Sequence, residues 1–510
     1  MGGKGMDFMN TTRVLLQPAC LALCAGILAG CAVGPDFKRP EPPPVAGYTA
    51  TALPAQTASA SGSLGDAQRF VAGGAIPAAW WQELGSARLN ELVRQALQSS
   101  PTLEAAKATL RQTQQSYEAQ AGSTLYPQAT GRLGAQRQHI NNAPSGQSGG
   151  ERTFDLYNAS VGVSYNLDLF GGNRRALEAL SAQADYQRYQ FEGARLTLAA
   201  NVVTAVILQA QLAAQIQASE AILAAQEEQL DITRRRLTLG AASQNDVLAL
   251  QTQLEQTRAG IPSLRNRLEQ TNHLLAVLIG RPPGSGVMPQ FALADFILPT
   301  ELPLRVPSEL ARRRPDIQAS EALLHAANAQ YGAAVSKQYP RITLSADLGF
   351  QALTAASLFG SGSLVWGLAG QLAQPLFNGG LRAEARAAES GFDAVAANYR
   401  QTVLQALRNV ADVLRALDND AQTLAAQAAA DASSQESLQL TRLQYALGAV
   451  SYLQLLIAQQ QAEQTAIALI AARAQRLADT VALYQSMGGG WSHDEAIVAA
   501  NTAPGASPSD

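Results

Sequence analysis

The feature that most constrains this chain is a stretch it contains twice. Residues 233–259 read TRRRLTLGAASQNDVLALQTQLEQTRA and residues 441–467 read TRLQYALGAVSYLQLLIAQQQAEQTAI, 208 positions apart. Both keep Leu-Gly-Ala-x-Ser at the centre, running 239–243 and 447–451. Gly240 and Gly448 stand where a helix should end, because glycine takes the left-handed backbone of a C-terminal cap without strain. Ser243 and Ser451 stand where the next helix should be capped. Each copy reads as a tight helix–turn–helix. The arms leading into the turns, 173–239 and 381–447, contain no proline and are interrupted only by Gly193 and by Gly391. Fully helical, such an arm is about 100 Å long, whereas a compact globule of this chain length is about 60 Å across. The helices must therefore lie along one another. Val403, Leu407, Val410, Leu414, Leu417, Ala421 and Leu424 step by three and four, which is a coiled-coil seam. The expectation is one duplicated body with long helical hairpins at about 173–279 and 381–487.

Between the helices the period changes to two. Residues 158–169 alternate Ala159, Val161, Val163, Tyr165, Leu167 and Leu169 against polar neighbours, and 341–351 alternate Ile342, Leu344, Ala346, Leu348 and Phe350. Weaker partners lie at 128–138 and 363–373. These are strands of the length that crosses a membrane when tilted, one face apolar and one polar. Four strands cannot close a barrel, which needs about eight, so several chains would have to share one. The corners Phe170-Gly171-Gly172 and Phe377-Asn378-Gly379-Gly380 turn the second strand of each pair into its long helix. Each half also opens on helices that end at Tyr-Pro. Trp80-Trp81 open a helical segment ending before Pro101, a second runs from Pro101 to Gln120, and Pro315 starts the matching helix closed by Tyr339-Pro340.

Charge and cysteines bound the function. Formal net charge is -3, pI is about 5.9 and 15% of residues are charged, so the chain has no basic field for nucleic acid. The cysteines are Cys20, Cys24 and Cys31. Lys4 and Arg13 precede an apolar run from Val14 to Ile27, too short for a final membrane span and suited to a signal peptide. It ends in Leu28-Ala29-Gly30-Cys31, which resembles the lipobox of bacterial lipoproteins. That places the signal peptide at 1–30 and lipidation at Cys31, and Ala32 favours outer-membrane sorting. Residues 31–79 read as a lipidated, extended segment largely without its own core. The rest divides into a first repeat at 80–283, a linker at 284–307, a second repeat at 308–487 and a flexible tail at 488–510. No chemistry is legible: His139, His273, His325 and His493 lack paired metal-ligand spacing, and no phosphate-binding Gly-x-x-x-x-Gly-Lys loop occurs. The chain is expected to be no enzyme and to need no cofactor.

In order, the lipobox, Trp80-Trp81, Arg313-Arg314-Pro315-Asp316-Ile317, Tyr339-Pro340, Pro375-Leu376-Phe377-Asn378-Gly379-Gly380 and the duplicated turns resemble the outer-membrane factor (TolC-like) family. The resemblance is to its lipoprotein branch, the outer-membrane channels of RND-type efflux systems, and covers about residues 31–487. It implies a homotrimer with a 12-stranded outer-membrane β-barrel, four strands per chain, continued by a periplasmic α-helical coiled-coil barrel, a mixed α and β membrane protein. It implies a periplasmic adaptor (membrane fusion) protein and an inner-membrane pump as partners, and a passive exit duct for small molecules. Adaptor contact is expected at Gly240, Ala241, Ser243, Gly448, Ala449 and Ser451. In the resembling lipoproteins the final helix starts Tyr-Leu-x-Leu-Leu-Asp-Ala-Gln-Arg, and the Leu, Asp and Arg close the mouth. Here Leu453 is kept, but Ile457 takes the acidic position and Gln460 the basic one; Asp246 in the other turn is the nearest acidic candidate. The expected resting mouth is held by Leu453 and Ile457 more than by ion pairs. Within the channel class a protein-secretion channel stays open. The helices alone also allow a structural coiled-coil envelope lipoprotein, or an envelope enzyme hidden in the belt.

Overall fold

In a computed structural model, which describes residues 32–490 apart from 43, 46 and 142–150, the chain begins with strand β1 (Arg69–Ala72) and helices α1 (Ala87–Ser99) and α2 (Pro101–Thr124). Strands β2 (Gln128–Asn141) and β3 (Glu151–Leu167) lead into a helical hairpin, α3 (Gly172–Thr238) and α4 (Gln244–Leu278). The second half gives β4 (Glu301–Leu304), α5 (Pro307–Arg313), α6 (Pro315–Ser336), β5 (Arg341–Ala352), β6 (Leu364–Ala373), α7 (Gly379–Ala446) and α8 (Tyr452–Ser486). Both long arms are single helices, of 67 and 68 residues, and neither Gly193 nor Gly391 breaks them. The expected signal peptide, Cys31, His493 and most of the expected tail lie outside the described residues. Contacts divide the chain into two units, each drawn from three stretches: Met1–Arg39, Leu110–Gln187 and Ser320–Tyr399 in the first, Pro40–Thr109, Arg188–Ala319 and Arg400–Asp510 in the second.

The first unit is built on a four-stranded antiparallel sheet in the order β2-β3-β5-β6. Its register puts Val161 beside Gly131 and Leu348, and Leu348 beside Trp366, so the apolar positions of all four strands share one face. That face is exposed at Leu133, Val161, Leu348, Trp366 and Leu368. The outer edges of β2 and β6 carry no strand partner among the described residues. β3 departs from expectation at both ends. It starts at Glu151 and not 158, paired with Asn141. The apolar phase reverses above Tyr157, where Phe154 and Leu156 take the polar face and Asp155 the apolar one, so alternation alone stopped short of the true ladder. At the other end it stops at Leu167 because Asp168 turns to cap α3, its carboxylate accepting from Asn173 N at 3.0 Å and Arg174 N at 2.8 Å. Asn378 serves the second corner, accepting from Gly380 N at 3.0 Å.

The N-terminal segment of this unit is pinned to the first corner. Val33 N donates to Phe170 O at 3.0 Å, and a side chain on Gly171 (φ +74°) would come 2.7 Å from the Ala32 methyl. Asp36 pairs with the buried Arg175 at 2.6 Å, and Phe37 stacks on His325 at 4.4 Å. Arg39 pairs with Glu321 at 2.6 Å. The segment is extended yet fully engaged.

The second unit holds the main core. The middle of α3 is buried nearly all round, at Ala199, Val202, Val203, Val206, Ile207 and Ala210. This explains an 18-residue window apolar enough to cross a membrane that is nevertheless 61% buried in protein. The seam read on α7 is buried as expected, from Val410 through Leu414, Leu417 and Ala421 to Leu424. Residues 40–79 contribute to the core of the unit: β1 pairs in parallel with β4, and Leu64 and Ile76 are buried in the main cluster. Trp80 and Trp81 lie in a short 3-10 turn and not in α1; Gly85 at φ +73° ends that turn, and Ser86 caps α1 from Leu89 N at 3.5 Å. α2 runs past Gln120 to Thr124. In the Arg-Arg-Pro-Asp motif, Arg314 Nη1 donates to Ser486 O at 2.8 Å and the guanidinium pairs with Asp316 at 2.7 Å. Arg305 donates to Met487 O at 2.7 Å. Two cations thus satisfy the last carbonyls of α8.

Candidate functional site

The two turns of the hairpins have the same backbone. Gly240 and Gly448 sit at φ +74° and +72°. Gly240 N donates to Leu237 O and Ala241 N to Arg236 O; Gly448 N donates to Tyr445 O and Ala449 N to Gln444 O. That pair of bonds satisfies the carbonyls left over at the end of a helix. The four residues Gly240, Ala241, Gly448 and Ala449 are exposed, and nothing lies within 4 Å of where a side chain on either glycine would point. Strain, and not crowding, fixes glycine here.

The caps that follow differ. Ser243 and Asp246 form a reciprocal box: Asp246 N donates to Ser243 Oγ at 3.2 Å, and Asp246 Oδ2 accepts from Ser243 N at 2.9 Å. In the second turn Gln454 supplies the return bond, its Oε1 accepting from Ser451 N at 3.0 Å. Asp246 is thus first of all a helix cap, which removes the need to find it a basic gate partner. Its charge still reaches the other turn. Burial pushes the Tyr452 hydroxyl up, and Tyr445 and the Asp246 carboxylate add to that shift.

Beneath the turns the two hairpins share one apolar cluster, in which Val247, Leu250 and Leu254 of α4 meet Tyr452 and Leu455 of α8. Tyr445 stands edge-on to Tyr452 at 5.8 Å, and the Arg236 guanidinium lies 5.0 Å over the Tyr445 ring. This arrangement was not read from the sequence, although Arg236, Tyr445 and Tyr452 flank the two glycines at helical spacing. The expected gate residues separate into two groups. Leu453 and Ile457 are 63% and 56% exposed on one face of α8. Gln460 turns inward and donates from Nε2 to Gln253 Oε1 at 2.5 Å, tying α8 to α4. An apolar pair is presented, and the polar third member is used to hold the hairpins together.

Further along α7 and α8 lies a buried polar cluster. Arg476 is fully buried, and its Nη2 donates to Gln68 Oε1 at 2.9 Å and Asp66 O at 3.2 Å. Burial, and then the neighbouring Asp420, push the Asp479 carboxyl up to about 7, while Gln475 and Arg476 oppose the shift. Gln475 Nε2 donates to Asp479 Oδ1 at 2.8 Å, and Oδ2 is buried with no hydrogen-bond partner among the described residues. Among the described residues no group of three or more His, Cys, Asp or Glu is arranged to hold a metal ion.

Comparison with known proteins bears on these hairpins directly. The family model for outer membrane efflux proteins matches residues 92–281 and 306–489. The antibiotic efflux pump outer membrane protein ArpC of Pseudomonas putida is 32% identical over 489 residues, 94% of this chain and 96% of that protein. The cation efflux system protein CusC of Escherichia coli is 28% identical over 483 residues, 93% of this chain and 98% of that protein. Among solved structures, the outer-membrane channel OprN superposes with a TM-score of 0.81 at 27% identity, covering 90% of this chain and 100% of that one. The open state of the MtrE outer membrane channel of Neisseria gonorrhoeae gives a TM-score of 0.76 at 26% identity, over 90% of this chain and 98% of that one.

Proposed function

We propose, from the premise that this chain belongs to the outer membrane efflux protein family, that it is the passive exit duct of a tripartite efflux system in the outer membrane. The observation that carries the reading is the sheet of the first unit. It has an apolar face shared by all four strands and two outer edges without a partner strand among the described residues. An open edge in lipid leaves backbone N–H and C=O groups without partners, at several kcal/mol each. Three copies joined β2 to β6 close the wall into 12 strands, apolar outward to lipid and polar inward to water. The long hairpins then continue the duct into the periplasm. Small-molecule and ion cargo is supported by the relatives, whose names specify antibiotics and cations.

Two finer parts belong to the same reading. Lipid on Cys31 anchors the chain in the outer membrane; the described chain begins one residue later, with Ala32 against Gly171 at the strand-to-helix corner. At the turns, the exposed Gly240–Ala241 and Gly448–Ala449 backbones and the Ser243 and Ser451 caps receive the helical hairpin of a periplasmic adaptor, itself joined to an inner-membrane pump. Leu453 and Ile457, four apart on α8, stack as two apolar rings around the threefold axis and resist ion flow at rest by dewetting.

Two measurements test this. In mild detergent the mature protein should have the mass of three chains, and in planar bilayers it should conduct. A monomer with a membrane-inserted sheet, or a trimer that passes no current, would defeat the duct. Fatty acid on the N-terminal peptide of wild type, and its loss in Cys31→Ala, tests the anchor separately.

A further inference from the structure

The polar face of the sheet carries little charge in its middle, with Arg341 beyond one end and Arg152 beyond the other. Between the Asn166–Thr343 pair at one end and the Gly134–Asn158 pair at the other, its charged side chains among the described residues are Arg132 and Asp347. They come from strands on opposite sides of β3. Asp347 lies in one cross-strand row with Thr130, Gly162 and Gly367, so a glycine flanks it on each side. Arg132 lies one row further along, opposite Ser160. Both lean over Gly162: a methyl group placed there would come 2.6 Å from Asp347 Oδ1 and 3.8 Å from Arg132 Nη1. The missing side chain at Gly162 leaves room for an acid and a base from two different strands to approach the same space above the strand between them, without closing to ion-pair distance.

Resting on the reading of this sheet as a barrel wall, we infer that Arg132 and Asp347 form a self-neutralising charged collar on the lumen side of the duct, which makes the duct at that level indifferent to the sign of a cargo's charge. The physics is that of a dipole against a charge. A lone wall charge acts across water to about 10 Å at 0.1 M salt and about 30 Å at 0.01 M. An acid and a base side by side cancel beyond their own separation. In a trimer the collar holds three of each, and a cationic or an anionic solute passes it with no net field to climb. Removing either partner leaves three like charges at one level of the wall, and the duct acquires a preference.

The experiment is reversal potential in planar bilayers under a KCl gradient near 10 mM, on wild type, Arg132→Gln, Asp347→Asn and the double variant, each checked as a trimer. Arg132→Gln should shift toward K⁺ selectivity and Asp347→Asn toward Cl⁻ selectivity. The double variant should return to the wild-type value, and all shifts should collapse near 1 M salt. Exchange of the pair, Arg132→Asp with Asp347→Arg, should also match wild type and guards against a fold defect in a single variant. A conducting wild type whose reversal potential neither single variant moves overturns the collar and leaves the duct standing. Single variants that shift in the same direction overturn it as well. A trimer that passes no current overturns the duct and the collar with it.

Discussion

The two hairpins began as one unit, and the 208-residue offset allows them to be compared position by position. The first, α3–α4, is tied by charge at its surface: Arg258 reaches Glu227 at 2.8 Å and Arg265 reaches Glu220 at 2.6 Å, both across the hairpin. The second, α7–α8, is tied by buried contacts, with the Leu414–Leu417–Ala421 seam and a Ser434–Thr465 hydroxyl pair at 2.6 Å. At the turns, Asn245 and Ala249 of the first correspond to Leu453 and Ile457 of the second. Further along, Leu212, Leu268 and Thr271 of the first correspond to Asp420, Arg476 and Asp479 of the second. Pro262 stands inside α4, where the repeat has Ile470, and removes one rung of that helix. The backbone of the turn is the same in both, while the exposed apolar pair and the titratable cluster occur in the second copy only.

The largest effect should separate the two copies at the mouth. Leu453→Ser with Ile457→Ser should raise resting single-channel conductance severalfold, and Asn245→Ser with Ala249→Ser should leave it at the wild-type level. Equal effects from the two pairs, or opening by Asp246→Asn alone, would remove the asymmetry. Next, what the copies share should respond alike. Gly240→Val and Gly448→Val each force a branched side chain into left-handed backbone, at about 1–2 kcal/mol, and thermal unfolding should fall by a similar amount in both. Bulky residues at Ala241 and Ala449 should spare that stability and the trimer, while cross-linking to the adaptor and efflux fall.

The titratable cluster sharpens the comparison by pH. Asp479 ordinarily ionises near 4 when unfolded, whereas in the fold burial and Asp420 push it up to about 7. The fold therefore favours the protonated form, and the stability this group supplies is present below about pH 4 and lost as pH rises toward 7. Asp479→Asn should stabilise the protein relative to wild type at pH 8, with the gain vanishing toward pH 4. Thr271→Ser, at the matching place in the first hairpin, should show no such pH dependence in the same melts. The smallest effect lies in the caps. Asp246→Ala should cost about 1 kcal/mol and Gln454→Ala less, since the first return bond is charged and the second neutral; urea unfolding midpoints check the order.

Much of this was legible in residues, for identifiable reasons. The hairpins were readable because glycine and serine at a helix end have one physical use each, and the repeat states that use twice. The strands were readable where alternation kept one phase and misread where it changed, above Tyr157. The pairing of β1 within 40–79 was not legible because a four-residue strand that pairs with β4, more than 200 residues away, leaves no local pattern. The gate candidates were separable only in three dimensions: nothing in Gln460 announces that it turns inward to Gln253, and nothing in Asp246 distinguishes a cap from a gate until Ser243 is seen to bond it. The polar cluster was hidden for another reason. Asp420, Arg476 and Asp479 sit on helices rich in polar residues, and burial, which sequence does not print, is what makes them unusual.

The phase reversal in β3 has a consequence for the rim of the proposed duct. Glu151 through Leu156 prolong the β2–β3 ladder by six residues beyond Tyr157, with Glu151 and Asp155 where the apolar positions had been, and β5, whose ladder ends at Ala352 opposite Tyr157, does not follow. At about 3.4 Å per residue and a tilt of about 40°, that ribbon would rise roughly 15 Å past the four-stranded part, like one merlon on a parapet. If the sheet is a barrel wall, three such ribbons would stand apart around the exit with water between them, and would carry charge on the face that otherwise meets lipid.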